Sequence, residues 1–331
     1  MITKNTVFVL GAGASSDFGF PLGLKLREEI IQRFNKPNKL EVEYIAQALC
    51  GSFPHEFKDY IPPITQFANK LYHDADYSID VFLERFQKTY LKIGKLAIAQ
   101  ILAKSENHDK LYGSDNWYRI LYQRMKKDAS IDTFSQNKIS FVTFNYDRSL
   151  EHFLYTSLMN FDENIRKEHV LAILNKIPIV HLYGQLDYLD WQDSEGRVYG
   201  NSITVAQLRR YRENICIIFE NMTKEINDNF QKAIELLKQA ERIFILGFGF
   251  HPINMDRLKL NEIKEKNIIA TSYGLGLEEI EFIRRCLASS GYPSITIYSS
   301  VNNAERMTSM KGAKLYNMPV YDFISKFAVL D

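Results

Sequence analysis

Six short apolar runs punctuate the chain: TVFVL at 6–10, ISFVTF at 139–144, IPIVHLY at 177–183, RIFILGF at 242–248, NIIAT at 267–271 and SITIY at 294–298. They are rich in Val, Ile and Phe, and most lack the polar alternation of a half-exposed strand. Such runs predict strands buried on both faces, as in a parallel sheet covered by helices. Between several of them the apolar positions switch to helical spacing. Leu26, Ile30, Ile31 and Phe34 share one face after the first run. Phe230, Ala233, Ile234 and Leu237 do so before the fourth, and Ile280, Ile283 and Leu287 after the fifth. Strand–helix alternation predicts an α/β fold: a Rossmann-like parallel sheet with helices on both faces, binding ligands at the carboxyl ends of its strands.

Residues 38–132 break the alternation. Val42, Ile45, Ala46 and Leu49 form one helical stripe, and Ile64, Phe67, Ala68 and Leu71 a second. Ile79, Phe82, Leu83, Phe86, Tyr90 and Ile93 form a third, and Trp117, Leu121 and Met125 lie on a fourth. The reading is a single domain over 1–331 with an all-helical insertion at 38–132 that closes over the sheet edge. Pro62-Pro63 and Gly113 predict turns within it. The segment after Val301 has mixed character and reads as an assembly surface or a last helix.

Composition narrows the function classes. With 46% hydrophobic and 13% aromatic residues, 331 residues suffice for a substantial core. Basic and acidic residues number 41 and 40, a net charge of +1, so no direct nucleic-acid binding is predicted. Cys50, Cys216 and Cys286 lie far apart without a CxxC pair, which excludes a zinc ribbon and a disulfide framework, and no metal is predicted. The apolar start is too short for a signal peptide, and no run approaches the ~20 residues of a membrane span. A soluble, cytoplasmic protein with no membrane contact is expected.

The first strand empties into a glycine loop: Gly11, Ala12, Gly13, Ala14 and Ser15, then Gly19, Pro21 and Gly23. Glycines there let main-chain amides approach a pyrophosphate, and a helix starting near Leu22 would aim its positive end at it. The third glycine of the dinucleotide fingerprint is replaced by Ser16, and no GKS or GKT follows, which excludes the Walker loop. Taken alone, the loop leaves open a tight turn with no ligand. Three further segments stand at strand ends: TFNYDRSLE with Asn145 and Asp147, VHLYGQLD with His181 and Gly184, and LGFGFHPIN with Gly247, Phe248 and Gly249. Singly each reads equally as a cap, a structural histidine or a bend; together they place a polar constellation on one rim.

At these residues the sequence resembles the sirtuin-like superfamily of NAD-consuming proteins. The GAG-x-S-x-x-x-G-x-P pattern matches Gly11, Ala12, Gly13, Ser15, Gly19 and Pro21, and the Asn-x-Asp pair falls on Asn145 and Asp147. A histidine followed three residues later by glycine falls on His181 and Gly184, and the later glycine turn on Gly247 to Gly249. The four zinc-binding cysteines of the deacetylases are absent, Leu22-Gly23-Leu24 replaces their Asp-Phe-Arg, and Phe144 replaces the Gln before the asparagine. The helical insertion, with YSIDVFLERF at 77–86, looks instead like the bacterial sirtuin-like effectors of antiphage defence.

The resemblance implies an NAD+ glycohydrolase, with NAD+ as substrate and no metal. Asp147 would receive the nicotinamide carboxamide and Asn145 would fix a ribose hydroxyl or the attacking water. His181 would take a proton, Ser15 and the amides of Ala12 to Ser15 would hold the pyrophosphate, and Gly247–Gly249 the adenosine half. It also implies a homo-oligomer, or a partner ATPase or sensor subunit. ADP-ribosyl transfer and a non-catalytic NAD or ADP-ribose sensor remain alternatives. Asp80 reads as a helix N-terminal acid beside the cap Ser78, or as an acid facing the site from the insertion. Tyr146 and Tyr183 read as pocket walls or as packing, and His251 as a turn residue.

Overall fold

Seven strands form one parallel sheet in a computed structural model that describes all residues except 38, 51–53, 77, 264–265, 290–294, 299–311, 327, 329 and 331. They are β1 (Thr6–Leu10), β2 (Ile139–Thr143), β3 (Ile179–His181), β4 (Arg242–Leu246), β5 (Asn267–Thr271), β6 (Ile295–Tyr298) and β7 (Gly312–Tyr316). The order is β3-β2-β1-β4-β5-β7-β6, so the direction of winding reverses between β1 and β4. The loops after β1, β2, β3 and β4 all leave the same end of the sheet, which brings the glycine loop beside the three other candidate segments.

The uninterrupted apolar runs have the predicted cause. Alternate residues of each strand enter two different cores. Phe8, Leu10, Phe141, Phe244 and Leu246 face one layer; Val7, Val9, Val142, Ile243 and Ile245 face the other. Phe8 stacks between Phe141 and Phe244, with ring centroids 5.6 and 5.0 Å away.

Helix α1 (Gly23–Phe34) follows β1 after two 3₁₀ turns, Ala12–Ala14 and Ser16–Phe18, so the glycine loop does not open directly into a helix. Next come α2 (Leu40–Cys50), α3 (Ile61–Tyr72), α4 (Ile79–Arg85), α5 (Gln87–Ser105), α6 (His108–Leu111) and α7 (Trp117–Lys126), with no strand among the described residues before β2. Pro62-Pro63 lies inside the first turn of α3, where the missing N–H costs nothing, rather than in a turn of its own.

These helices share one continuous core with the Phe8 face of the sheet. The insertion therefore covers that face of the sheet. Beyond β2 lie α8 (Ser149–Met159), α9 (Lys167–Leu174), α10 (Val205–Asn214), α11 (Lys224–Gln239), α12 (Pro252–Arg257), α13 (Leu277–Ser289) and α14 (Val320–Lys326). The start of the segment after Val301 lies outside the described residues; from Gly312 it supplies β7, which inserts between β5 and β6, and then α14. No helix of the described residues is long and apolar enough to cross a membrane.

Candidate functional site

The glycine loop owes its glycines first to packing. A Cβ on Gly11 would lie 2.5 Å from the Gly247 carbonyl oxygen, and one on Gly13 would lie 2.7 Å from the Gly247 Cα. Gly247 itself has φ +57°, and a Cβ there would meet the Ala14 nitrogen at 2.2 Å. The Gly13 amide donates to the Gly247 carbonyl at 2.8 Å, clasping the loops after β1 and β4 together. The amides of Ala14 and Ser15 donate to the carbonyls of Gly11 and Ala12. The expected cradle of loop amides is thus corrected. Those of Gly13, Ala14 and Ser15 are engaged within the protein and are not presented to a pyrophosphate in this arrangement. Trp117 of α7 donates its indole N–H to the Ala14 carbonyl at 2.8 Å, so the insertion anchors the loop from below.

Side chains do converge. Thr143 ends β2, and its hydroxyl accepts the Asn145 amide at 3.0 Å, turning the chain toward the glycine loop. The Asn145 Nδ2 group donates to the Gly11 carbonyl at 2.9 Å and to Ser15 Oγ at 3.0 Å. A carbonyl only accepts, so the nitrogen end of the amide faces Gly11 and the oxygen end, Oδ1, is turned the other way. Ser15 Oγ passes its proton on to Asp147 Oδ2 at 2.7 Å. Asp147 Oδ1 accepts from the Ser149 amide at 3.1 Å and from the Ser149 hydroxyl. Burial pushes the Asp147 carboxyl up from its ordinary range, against the pull of the Ser149 and Ser15 hydrogen bonds.

His181 closes the group from β3. Its Nδ1 lies 2.8 Å from the Asn145 main-chain carbonyl and its Nε2 2.6 Å from Glu151 Oε1. Both ring nitrogens are engaged, so the expected proton acceptor has no free nitrogen to offer a substrate here. Burial lowers the affinity of His181 for a proton, but the Glu151 charge and hydrogen bond outweigh it, and the net shift is upward.

Glu151, on α8, was not among the expected residues. It lies on the helix face of Leu154 and Leu158, at spacings of three and seven. A carboxyl in that apolar stripe is the signal that would have found it. Ser15, Asn145, Asp147, Glu151 and His181 line one chamber of about 10 Å³, roughly one water in size. Glu151 and His181 also line a far larger groove of about 990 Å³ along the outer edge of β3.

Gly19, at φ +90°, caps the second 3₁₀ turn, with Pro21 just beyond it. Gly184, at φ +81°, packs where a Cβ would lie 1.9 Å from the Asn214 carbonyl. Phe248 stacks on Phe144 at 4.7 Å, whereas Gly249 has open space around it. The Tyr146 hydroxyl donates to the Cys216 carbonyl and that of Tyr183 to Asn254, so both rings pack with their polar ends engaged. Ser78 caps α4 by accepting the Asp80 amide at 3.2 Å, as expected; burial also lifts the Asp80 carboxyl to about 6. His251 is the turn residue before α12. Among the described residues no group of three or more His, Cys, Asp or Glu is placed to hold a metal ion.

No protein-family model matches the chain, and no curated protein matches it. Several solved structures are similar to it, among them two sirtuins. One is a Sir2 protein in complex with an inhibitor, 2′-O-acetyl-ADP-ribose and a deacetylated peptide, 14% identical over 97% of this chain and 90% of that one, with a TM-score of 0.36. The other, described for the structural basis of sirtuin substrate affinity, is 14% identical over 97% of this chain and 91% of that one, with a TM-score of 0.38.

Proposed function

We propose that this chain cleaves the nicotinamide–ribose bond of NAD+, releasing nicotinamide and ADP-ribose, and serves bacterial antiphage defence by depleting NAD+. The supporting observation is the junction of Ser15, Asn145 and Asp147. Three polar side chains from the loops after β1 and β2 are hydrogen-bonded in series beside the point where the winding reverses.

The reaction asks little of an acid, because a pyridinium is already a good leaving group. As the C–N bond lengthens, the anomeric carbon becomes cationic. With both Nδ2 protons engaged, Asn145 has Oδ1 left to accept from a ribose hydroxyl or the attacking water and to face that charge. Asp147 Oδ2 holds one donor, Ser15, and has room for a carboxamide N–H.

The closed clasp between Gly13 and Gly247 supports a resting state that must open before a dinucleotide enters. Assembly into a homo-oligomer, or a partner ATPase or sensor subunit, would supply the opening, in the cytoplasm. Purified protein, alone and with the product of its neighbouring gene, incubated with NAD+ tests this reading. Equal amounts of free nicotinamide and ADP-ribose support hydrolysis. ADP-ribose found attached to protein or nucleotide would indicate transfer, and tight NAD+ binding without loss would indicate a sensor.

A further inference from the structure

The pair formed by His181 and Glu151 has no part in the cleavage as described, yet it is a short and buried polar contact of the chamber. The Nδ1 partner is a main-chain carbonyl, which only accepts, so Nδ1 carries a proton. The Nε2 partner is a carboxyl oxygen at 2.6 Å, a separation at which one proton must lie between the two. Two protons therefore reside on this ring and its contact, and none of its lone pairs faces a substrate. Both residues are more than nine-tenths buried, at 8% and 6% exposure, and Glu151 Oε2 is buried without a hydrogen-bond partner.

We propose that Glu151 is a positioning residue for the cleavage: it holds His181 as an imidazolium, whose Nδ1–H fixes the carbonyl of Asn145 and so the direction of Asn145 Oδ1. The chain of contacts runs from α8 through β3 to the loop after β2, and ends where the Asn145 amide meets Gly11 and Ser15. A histidine serving as base would instead leave a lone pair facing the chamber. The catalytic part of this proposal rests on the NAD+ reading; the clamp itself does not.

Other charged or titratable groups surround the ring. Asp147 follows β2, and Tyr118 of α7 bonds Ser149 in the same chamber. Across the groove stand the Lys95–Glu220 pair, Asp187 and Glu213 before and at the end of α10, and Lys224, Glu225 and Lys232 on α11. None of these is in hydrogen-bond contact with the ring, whose partners are the Asn145 carbonyl and Glu151. The clamp therefore predicts a single dominant partner.

Two measurements on the full chain decide it. In ¹⁵N-histidine spectra, with the His181 signal assigned through His181→Gln, the wild-type ring is expected doubly protonated at pH 7.5. Glu151→Gln is expected to lose that state, and Glu151→Asp to keep it. In NAD+ turnover, Glu151→Gln is expected to lower kcat about 10–100-fold with KM within about threefold, and Glu151→Asp to recover part of it. An unchanged His181 spectrum in Glu151→Gln overturns the clamp whether or not the protein turns over NAD+. A clamp seen in the spectra with kcat unaffected overturns the positioning role. Absence of NAD+ cleavage by the wild type defeats the functional reading and leaves the spectra to judge the clamp.

Discussion

Asp147 and Arg148 are neighbours in sequence and look into two different buried polar regions. On the Arg148 side, Glu106 receives the Arg148 guanidinium at 2.7–2.9 Å, Arg197 at 2.5 Å and the Gly200 amide at 2.9 Å. Arg148 also donates to the carbonyls of Tyr188 and Arg197, and Arg197 to the Tyr211 hydroxyl. Every carboxylate oxygen there is occupied. The region ties the end of α5 to the loops after β2 and β3. On the Asp147 side the bonds are mostly to uncharged groups, and acceptors are left over: Asn145 Oδ1 and Glu151 Oε2. A fully satisfied cluster is a scaffold. A cluster with unspent hydrogen-bonding capacity at the carboxyl ends of parallel strands is where a ligand has something to bind.

The contrast is broken most severely from the scaffold side. Glu106→Ala leaves two buried guanidinium groups facing one another, and a loss of about 3–5 kcal/mol in chemical denaturation is expected. A loss under about 1 kcal/mol would show that the cluster is not the tie described. On the other side, Asn145→Ala is expected to cost about 10²–10³ in NAD+ cleavage but only about 1–2 kcal/mol of stability, since it removes two hydrogen bonds and no buried charge. Equal damage to fold and rate would erase the distinction between the regions.

Gly247→Ala asks whether the loop after β4 is packed against the site as tightly as the geometry says. With φ +57° and a Cβ 2.2 Å from the Ala14 nitrogen, a loss of about 2–3 kcal/mol is expected by thermal melting. Gly249→Ala, in open space, is expected to be near neutral.

The smallest effect concerns Asp80. Its carboxyl is lifted to about 6 from 3.8 by burial, so the folded chain binds a proton more tightly than the unfolded one. The charged form is a penalty present above pH 6, and it fades as the pH falls from 6 to 3.8. Asp80→Asn is therefore expected to stabilise by about 1–2 kcal/mol at pH 7.5, the side chain being partly exposed, and by nothing near pH 4. Parallel stability curves for the two proteins across that range would contradict this.

Much of this arrangement could be read from the residues. Runs such as Val7–Leu10 and Ile139–Thr143 predict a doubly covered strand, and the loops after them carry Gly11, Ser15, Asn145 and Asp147 to one rim. What stayed hidden depends on distance in sequence. Nothing local pairs Glu106 with Arg148 and Arg197, 42 and 91 residues away. The glycine loop signals close backbone approach, but not whether the approaching backbone is a ligand's environment or Gly247. β7, with the sequence GAKLY, escaped because a short strand with a glycine and a lysine has no apolar run. His181 was legible as a polar group at a strand end. Its partner Glu151 carries only a weak signal, a carboxyl in the Leu154 and Leu158 stripe of a helix, where an acid is by default a solvated one.

The central claim is that Ser15, Asn145 and Asp147 meet a dinucleotide at its nicotinamide end. The most direct measurement is nicotinamide release from NAD+ by wild type and Asn145→Ala, side by side, in the assembled state of the protein. The account predicts release by the wild type and, from an equally folded variant, a rate lower by about 10²–10³. Release at equal rates by both, or none from the wild type in any assembled state, would contradict it.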